Sequence, residues 1–425
     1  MHATRAYSLI LTDIGQIFTA PLNDPVRTGT GLCIAADEQG TIAFVGTMAD
    51  FAKSEPGYET RHKNAVVSAE GRAVWPGLVD SHTHIVYAGT REEEFAQKSR
   101  GASYAEIAAA GGGILNSAAK TRAASADELY RDAKKRLLQV AAYGITTVEI
   151  KSGYALDTAG ELKILEVVAR LKKELPIEIV PTFLGAHAYP AQFKSDHDGY
   201  LSVLCDEMLP EVRRRGLAEF VDVFCEEGFF SLAETERVLR RAHDLGLGLK
   251  LHADQFHALG GTELAARMGA ASVDHLEEVT DEAIALMARH GTVAGVLPIT
   301  SVFSRLPFAP AKKMIDAGVR VALATDFNPG SCMCGFLPLA ASLGATQLVL
   351  PVEDALRGVT LHGAASVRRE ARKGSIEVGK DADIVVMESS SWIYPLYHFA
   401  HNHVRQIFIG GRPFDPAALL AEGTV

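Results

Sequence analysis

The chain has 425 residues, enough for one large domain and a small one around a substantial buried core. Hydrophobic residues make up 48% and charged residues 22%, the balance of an ordinary globular protein, and a formal net charge of −10 argues against nucleic acid or an anionic membrane as a partner. The five cysteines (Cys33, Cys205, Cys225, Cys332 and Cys334) are too few and too scattered for a disulfide framework. No run approaches the ~18 apolar residues of a membrane span, and Met1 to Ala20 lacks the basic start, apolar stretch and small-residue cleavage site of a secretion signal. A cytoplasmic location is expected.

In chain order, residues 1–72 read as short strands punctuated by turns: Ser8–Leu11, Gly31–Ala35 and Thr41–Val45. From residue 73 to 372 strands alternate with helices. The strand candidates are Gly77–His84, Gly144–Lys151, Ile177–Phe183, Phe220–Cys225, Gly246–His252, Ala271–His275, Thr292–Leu297 and Val319–Thr325. Helical periodicity occupies Asp127–Tyr143, where Leu129, Leu137, Val140 and Ala141 share a stripe, and recurs in Glu161–Leu175, Leu232–Leu245 and Thr280–His290. Residues 373–425 return to strands, at Ser375–Ile376, Ala382–Met387 and Val404–Ile409. Eight strands separated by helices over about 300 residues fit a closed (β/α)8 barrel of the α/β class in count and length. Both chain ends are expected to pair in one small β-sandwich, giving a sandwich over 1–72 and 373–425 and a barrel over 73–372. An open, doubly wound sheet is the rival architecture.

The residues that carry chemistry fall at the ends of these strands. His82 and His84, two apart in Asp80–Ser81–His82–Thr83–His84, point to one side of a strand because side chains alternate faces. His252 closes the fifth strand, His275 the sixth, and Asp326 follows the eighth. Only a closed barrel brings the ends of the first, fifth, sixth and eighth strands together. His82, His84, His252 and Asp326 then offer three nitrogens and a carboxylate to one ion, a set suited to Zn2+ or an iron ion. Such an ion makes water acidic enough to attack near neutrality; Asp326 can take and return a proton, and His275 can polarise the carbonyl under attack. Each residue also has a bland reading, a histidine satisfied in a core or an aspartate shaping the turn Asn328–Pro329–Gly330; four such accidents at matching strand ends would be needed. Cys332 and Cys334 read as packing residues. His398, His401 and His403 form an H-x-x-H-x-H run that looks metal-like but lies in the terminal domain, where a structural reading is favoured.

Together with the Pro76–Gly77 opening and the run Lys373–Gly374–Ser375–Ile376–Glu377–Val378–Gly379–Lys380–Asp381–Ala382–Asp383, these residues resemble the amidohydrolase superfamily over nearly the whole chain. Further matching stretches are Tyr87–Arg91, Gly111–Ile114, Glu149–Tyr154, Phe183–His187, Leu251–Asp254 and Thr325–Ser331. The resemblance implies a branch that hydrolyses the C–N bond of a cyclic amide bearing a propanoate tail, with one Zn2+ or Fe3+ per subunit. It implies a small-molecule substrate, no nucleic acid or membrane partner, and at family level a homodimer. Arg91 then offers a donor fork to the carboxylate, against the alternative of an exposed charge among Glu92, Glu93 and Glu94. Tyr104, Tyr154, His187, Asn328, Gly330 and Ser331 are further substrate-contact candidates. Gln255 stands where some members carry Glu; it can orient a ring but cannot shuttle a proton, which leaves that task to Asp326 with His275. The fourth-strand end, Val223–Glu227, lacks a lysine that could bridge two metals, so a single ion is expected. The rival functions are an aminohydrolase of a nucleobase-like heterocycle and a metal-stabilised scaffold without catalysis.

Overall fold

The computed structural model describes residues 6–101 and 112–422. Eight strands, Leu78–Asp80, Ile145–Lys151, Glu178–Ala186, Phe220–Cys225, Gly248–Ala253, Ser272–His275, Val293–Val296 and Val321–Leu323, hydrogen-bond side by side in chain order. The pairing is parallel, for example His252 beside Asp274 and Val296 beside Leu323. At the open seam Thr83 forms a parallel bridge with Phe327, the Asp326 N–H donates to the His82 carbonyl at 3.0 Å, and the His84 N–H donates to Phe327 at 2.8 Å. The eight strands thus form a nearly closed parallel barrel.

The strand elements match the expected ones with one informative difference at their ends. The expected first strand Gly77–His84 is regular only over Leu78–Asp80, and the eighth is regular only over Val321–Leu323. Beyond those points the two segments bond to each other through the seam, so His82, His84 and Asp326 lie just past the regular ladder. The connecting helices form where the periodicity places them. Thr158–Glu174 buries Ile164, Leu165, Val168 and Leu171, and Asp157 caps it by accepting from the Gly160 N–H. Leu232–Asp244 starts at a capping box between Ser231 and Glu234.

The chain ends build a separate sheet in the order Arg412–Phe414, Val404–Ile409, Ile384–Met387, Ala73–Pro76, Tyr7–Phe18, Val26–Asp37 and Ile42–Thr47, with Val66–Ser68 also pairing to Tyr7–Phe18. Register shifts within Tyr7–Phe18 bend this long strand and let it pair on one side with two different partners. One face carries an apolar core that includes Leu9, Leu11, Ile34, Val74, Ile384 and Phe408. The other packs Tyr7, Ile10, Cys33 and Ala35 against Phe51 and Tyr58. The segment Ser375–Ile376, expected as a strand, is not one; Ile376 still enters the core and its N–H donates to the Thr19 carbonyl at 3.0 Å.

By compactness the chain divides into two units. One gathers the residues up to Asp80, Leu138–Thr147 and those from Phe336 onward; the other comprises Ser81–Leu137 and Val148–Gly335. Among the described residues no helix is long and apolar enough to cross a membrane.

Candidate metal centre and active site

Every described candidate site residue lies in the second unit, around the mouth of the barrel. The buried rings of His82 and His84 have centroids 5.3 Å apart, and the His252 ring lies 4.5 Å from His82 and 5.9 Å from His84. Asp326 places Oδ1 3.5 Å from His82 Nε2 and 3.6 Å from His84 Nε2. Ligands held at ~2.1 Å around a tetrahedral ion stand about 3.4 Å apart, so these separations suit a shared cation. The other Asp326 oxygen, Oδ2, accepts from the Thr300 hydroxyl at 2.9 Å, which fixes the carboxylate plane.

The protonation states fit the same purpose. His82 Nδ1 faces Asp274 Oδ2 at 2.7 Å and His252 Nδ1 faces Asp222 Oδ1 at 3.0 Å. A carboxylate can only accept, so each Nδ1 carries the proton and each Nε2 keeps a free lone pair. His82 Nε2 is buried with no hydrogen-bond partner, the signature of a donor atom waiting for a Lewis acid. Burial, reinforced by Lys151 and the neighbouring imidazoles, holds His82, His84 and His252 well below the ordinary histidine range, hence neutral. Burial pushes the Asp326 carboxyl up to about 6, against the pull of His275 and the Thr300 hydrogen bond.

His275 behaves differently. Burial lowers its pKa, but Glu277 and Asp326 more than offset this and leave it above the ordinary value. Glu277 Oε2 stands 3.8 Å from His275 Nδ1, a charge contact rather than a hydrogen bond. His275 can therefore present a proton to an oxygen that gathers negative charge. Asp254, His275, Leu276 and Asp326 adopt positive φ of 56°, 84°, 72° and 51°. That left-handed backbone is costly for residues with a Cβ, and its concentration at the strand ends shows how far the surrounding structure constrains the site.

Above these groups opens a cavity of about 670 Å3 whose lining includes Arg91, Tyr154, His187, Gln255, Asn328 and Ser331. Arg91 is not a solvated charge. Its Nε and Nη2 donate to Glu94 Oε2 at 2.8 and 2.7 Å. Its Nη1 comes so close to Gly330 that a Cβ there would lie 2.1 Å away. Glycine at 330 thus makes room for the guanidinium. Asn328 holds this wall: its Oδ1 accepts from the Gly330 and Ser331 N–H groups at 2.7 and 2.8 Å, and its Nδ2 donates to the Asp326 carbonyl at 2.7 Å. On the opposite wall the His187 ring stacks on His84 at 5.4 Å, and its Nδ1 donates to the Gly153 carbonyl at 3.0 Å. Burial lowers the His187 pKa to about 4, leaving Nε2 as a neutral acceptor. Tyr154 packs 5.4 Å from both of these rings. Tyr104 lies outside the described residues.

A layer of charge beneath the histidines goes beyond the residues singled out in the sequence. Lys151 Nζ donates to Asp222 Oδ2 at 2.7 Å and Glu149 Oε1 at 2.9 Å, and stands 3.6 Å from Asp274. Lys250 Nζ lies 3.3 Å from Glu149 and 3.7 Å from Asp274, and donates to the Ser81 carbonyl at 3.2 Å. Burial disfavours the charge on Lys151, yet the three carboxylates hold its pKa above the usual range. Gly295 leaves space for this layer, since a Cβ there would meet Asp274 Oδ1 at 2.2 Å. Glu161 is a second unheralded group: fully buried, it accepts from the N–H groups of Gly153, Ala155 and Leu156 at 2.7, 2.8 and 2.8 Å and so fixes the loop bearing Tyr154.

The sequence model described as "Amidohydrolase family" matches residues 106–411. Imidazolonepropionase of Alkaliphilus metalliredigens is 43% identical over 95% of this chain and 97% of its own length, and that of Treponema denticola is 48% identical over 82% and 84%. Among solved structures, an adenosine deaminase from Xanthomonas campestris with bound zinc superposes with a TM-score of 0.69 at 20% identity, covering 99% of this chain and 98% of that one. Atrazine chlorohydrolase from Arthrobacter aurescens complexed with zinc gives 0.71 at 17%, covering 98% and 99%. These two share the fold. By its family match and its barrel the chain belongs to the amidohydrolase family. Within that family its place is among the imidazolonepropionases, which it matches at 41–48% identity over most of its length.

Proposed function

We propose that the protein hydrolyses 4-imidazolone-5-propanoate to N-formimidoyl-L-glutamate, adding water across the ring amide C–N bond. One observation carries the reading: Asp326, between His82 and His84, lies on the floor of a cavity whose wall presents a buried, pre-oriented arginine. His82, His84, His252 and Asp326 would hold a single Zn2+ or iron ion, which when bound supplies an acidified water and Lewis-acid stabilisation of developing negative charge.

The chain's own groups do the rest. The Nη1 of Arg91, held in place through Glu94, receives the propanoate carboxylate. His187 and Tyr154 face the ring edge, and Gln255 orients the ring through its amide. Asp326 takes the proton of the attacking water and passes it to the ring nitrogen as the C–N bond breaks. His275 donates to the carbonyl oxygen while charge develops there. The former carbonyl leaves as a carboxylate, and the amidine nitrogen stays on the formimidoyl group.

The test is turnover by metal-quantified protein, followed as loss of the imidazolone absorbance and appearance of formimidoylglutamate. Stoichiometric product supports the assignment. No product, with ammonia released from a nucleobase-like heterocycle instead, overturns it.

A further inference from the structure

We propose that Glu388, His401 and His403 form a second metal site, in the unit built from the chain ends, selective for a borderline divalent transition ion such as Zn2+, Ni2+ or Cu2+. Glu388 directly follows the strand Ile384–Met387, and His403 directly precedes Val404–Ile409. These strands are antiparallel neighbours with Met387 opposite Val404, so the two residues meet at one end of the pair. The Glu388 N–H donates to the His403 carbonyl at 2.7 Å. His401 completes the set: one donor atom from each of the three residues lies within 4.8 Å of the others.

The tautomer of His403 is already set for coordination. Its Nε2 lies 3.0 Å from the His398 carbonyl oxygen, which can only accept, so Nε2 carries the proton and Nδ1 keeps the lone pair. A backbone carbonyl holding the far ring nitrogen in this way is the usual support of a metal-ligating histidine. His403 is also nine-tenths buried, with 5% of its surface exposed, so its ring is fixed in place. The His401 ring lies 4.7 Å from that of His403, and the His398 ring stacks on His401 at 5.2 Å and 20°. Three imidazoles and a carboxylate thus crowd one end of this strand pair. Two nitrogens and one oxygen favour copper, zinc and nickel over magnesium or calcium. Because Glu388 and His403 flank the connection 389–402, an ion bound here clasps both ends of that connection. No substrate or residue of the barrel mouth takes part, so the proposal stands apart from the hydrolytic assignment.

The experiment uses the full chain, stripped with a chelator, dialysed against buffered Zn2+ and assayed for metal per chain. Wild type is expected to retain two equivalents. His401→Ala, an exposed position, is expected to retain one, with turnover of the metal-loaded enzyme unchanged. Glu388→Gln should weaken the second equivalent at least 10-fold while leaving the first. Slower proteolysis within 389–402 on Zn2+ addition, lost in His401→Ala, marks the clasp. One equivalent in wild type, or two in His401→Ala, overturns the site; unchanged proteolysis overturns the clasp.

Discussion

The core of the terminal sheet and the interior of the barrel bury side chains to different ends. In the sheet Leu9, Leu11, Ile34, Val74 and Phe408 are all apolar and almost wholly enclosed, the arrangement that removes most surface from water per residue. Beneath the barrel mouth, Lys151, Lys250, Glu149 and Asp222 are equally enclosed, with Asp274 almost so, yet every one is ionisable. Desolvating such ions costs several kcal/mol each, and their mutual attraction returns that only in favourable geometry. A protein seeking stability alone would fill the space with leucine and valine. The charged layer is explained by what it holds: Asp274 and Asp222 set the tautomers of His82 and His252, and the two lysines favour the charged form of those carboxylates and hold them in place. One region is built for cohesion, the other for pre-organised polarity at the site.

The sharpest way to separate the two is at Asp326. Asp326→Asn keeps the shape but removes the charge between His82 and His84 and the group assigned to proton transfer. Turnover should fall on the order of 10^3-fold or more, while the denaturation midpoint falls no further than loss of the ion accounts for, read by steady-state kinetics and urea unfolding of metal-quantified protein. Loss of less than tenfold would mean that another residue moves the proton.

Lys151→Met tests the layer below. Removing one partner of a buried ionic cluster leaves uncompensated carboxylates, so stability should drop by roughly 3–5 kcal/mol. Metal affinity should fall with it, since Asp222 and Asp274 lose the cation that fixes them. A stable Lys151→Met protein with unchanged metal content would show that the charges are incidental. Chelation with intact sequence comes next. Stripping the ion should abolish turnover and lower the melting temperature, because a ligand that binds only the native state at 100 times its Kd contributes about 2.7 kcal/mol. Melting curves with and without chelator, followed by restoration with Zn2+ or iron, read both effects.

These contrasts also show what could be read in the sequence. The cluster at the barrel mouth was legible because His82, His84, His252, His275 and Asp326 sit at or just beyond strand ends, where side chains of a barrel converge on its mouth. The charge beneath them was harder to see. Lys250 between Leu249 and Leu251 looks like a solvent-facing position in an alternating strand, and only a strand buried on both sides turns it inward. The available signal was spacing: Lys250 stands two residues before His252, and Glu149 two before Lys151, so each pair shares a face. Arg91 was ambiguous for another reason. Its neighbours Glu92–Glu94 suggest a solvated patch, and the i,i+3 contact with Glu94 that orients it depends on how the helix Glu92–Ser99 packs.

At Arg91 the expected effect is smaller and falls on binding. Arg91→Lys keeps a positive charge but cannot both satisfy Glu94 and extend a fork to a carboxylate. A lost charge-assisted hydrogen bond of ~1.5–3 kcal/mol corresponds to a KM about 10- to 150-fold higher, with kcat nearly unchanged if the tail is held equally in ground and transition states. A fall in kcat at constant KM would place Arg91 nearer the reacting bond than its geometry indicates.

The smallest effect lies in the apolar region, where it closes the comparison. Ile34 is fully buried in the sheet core, and Ile34→Val removes one methylene there. The expected cost is about 0.5–1.5 kcal/mol, visible as a lower urea midpoint at unchanged slope. Turnover and metal content should stay at wild-type levels, because no ligand or proton-transfer group depends on that packing. An equal stability loss accompanied by lower metal content would couple the sheet core to the site, and the division between cohesion and pre-organised polarity would no longer follow the two regions.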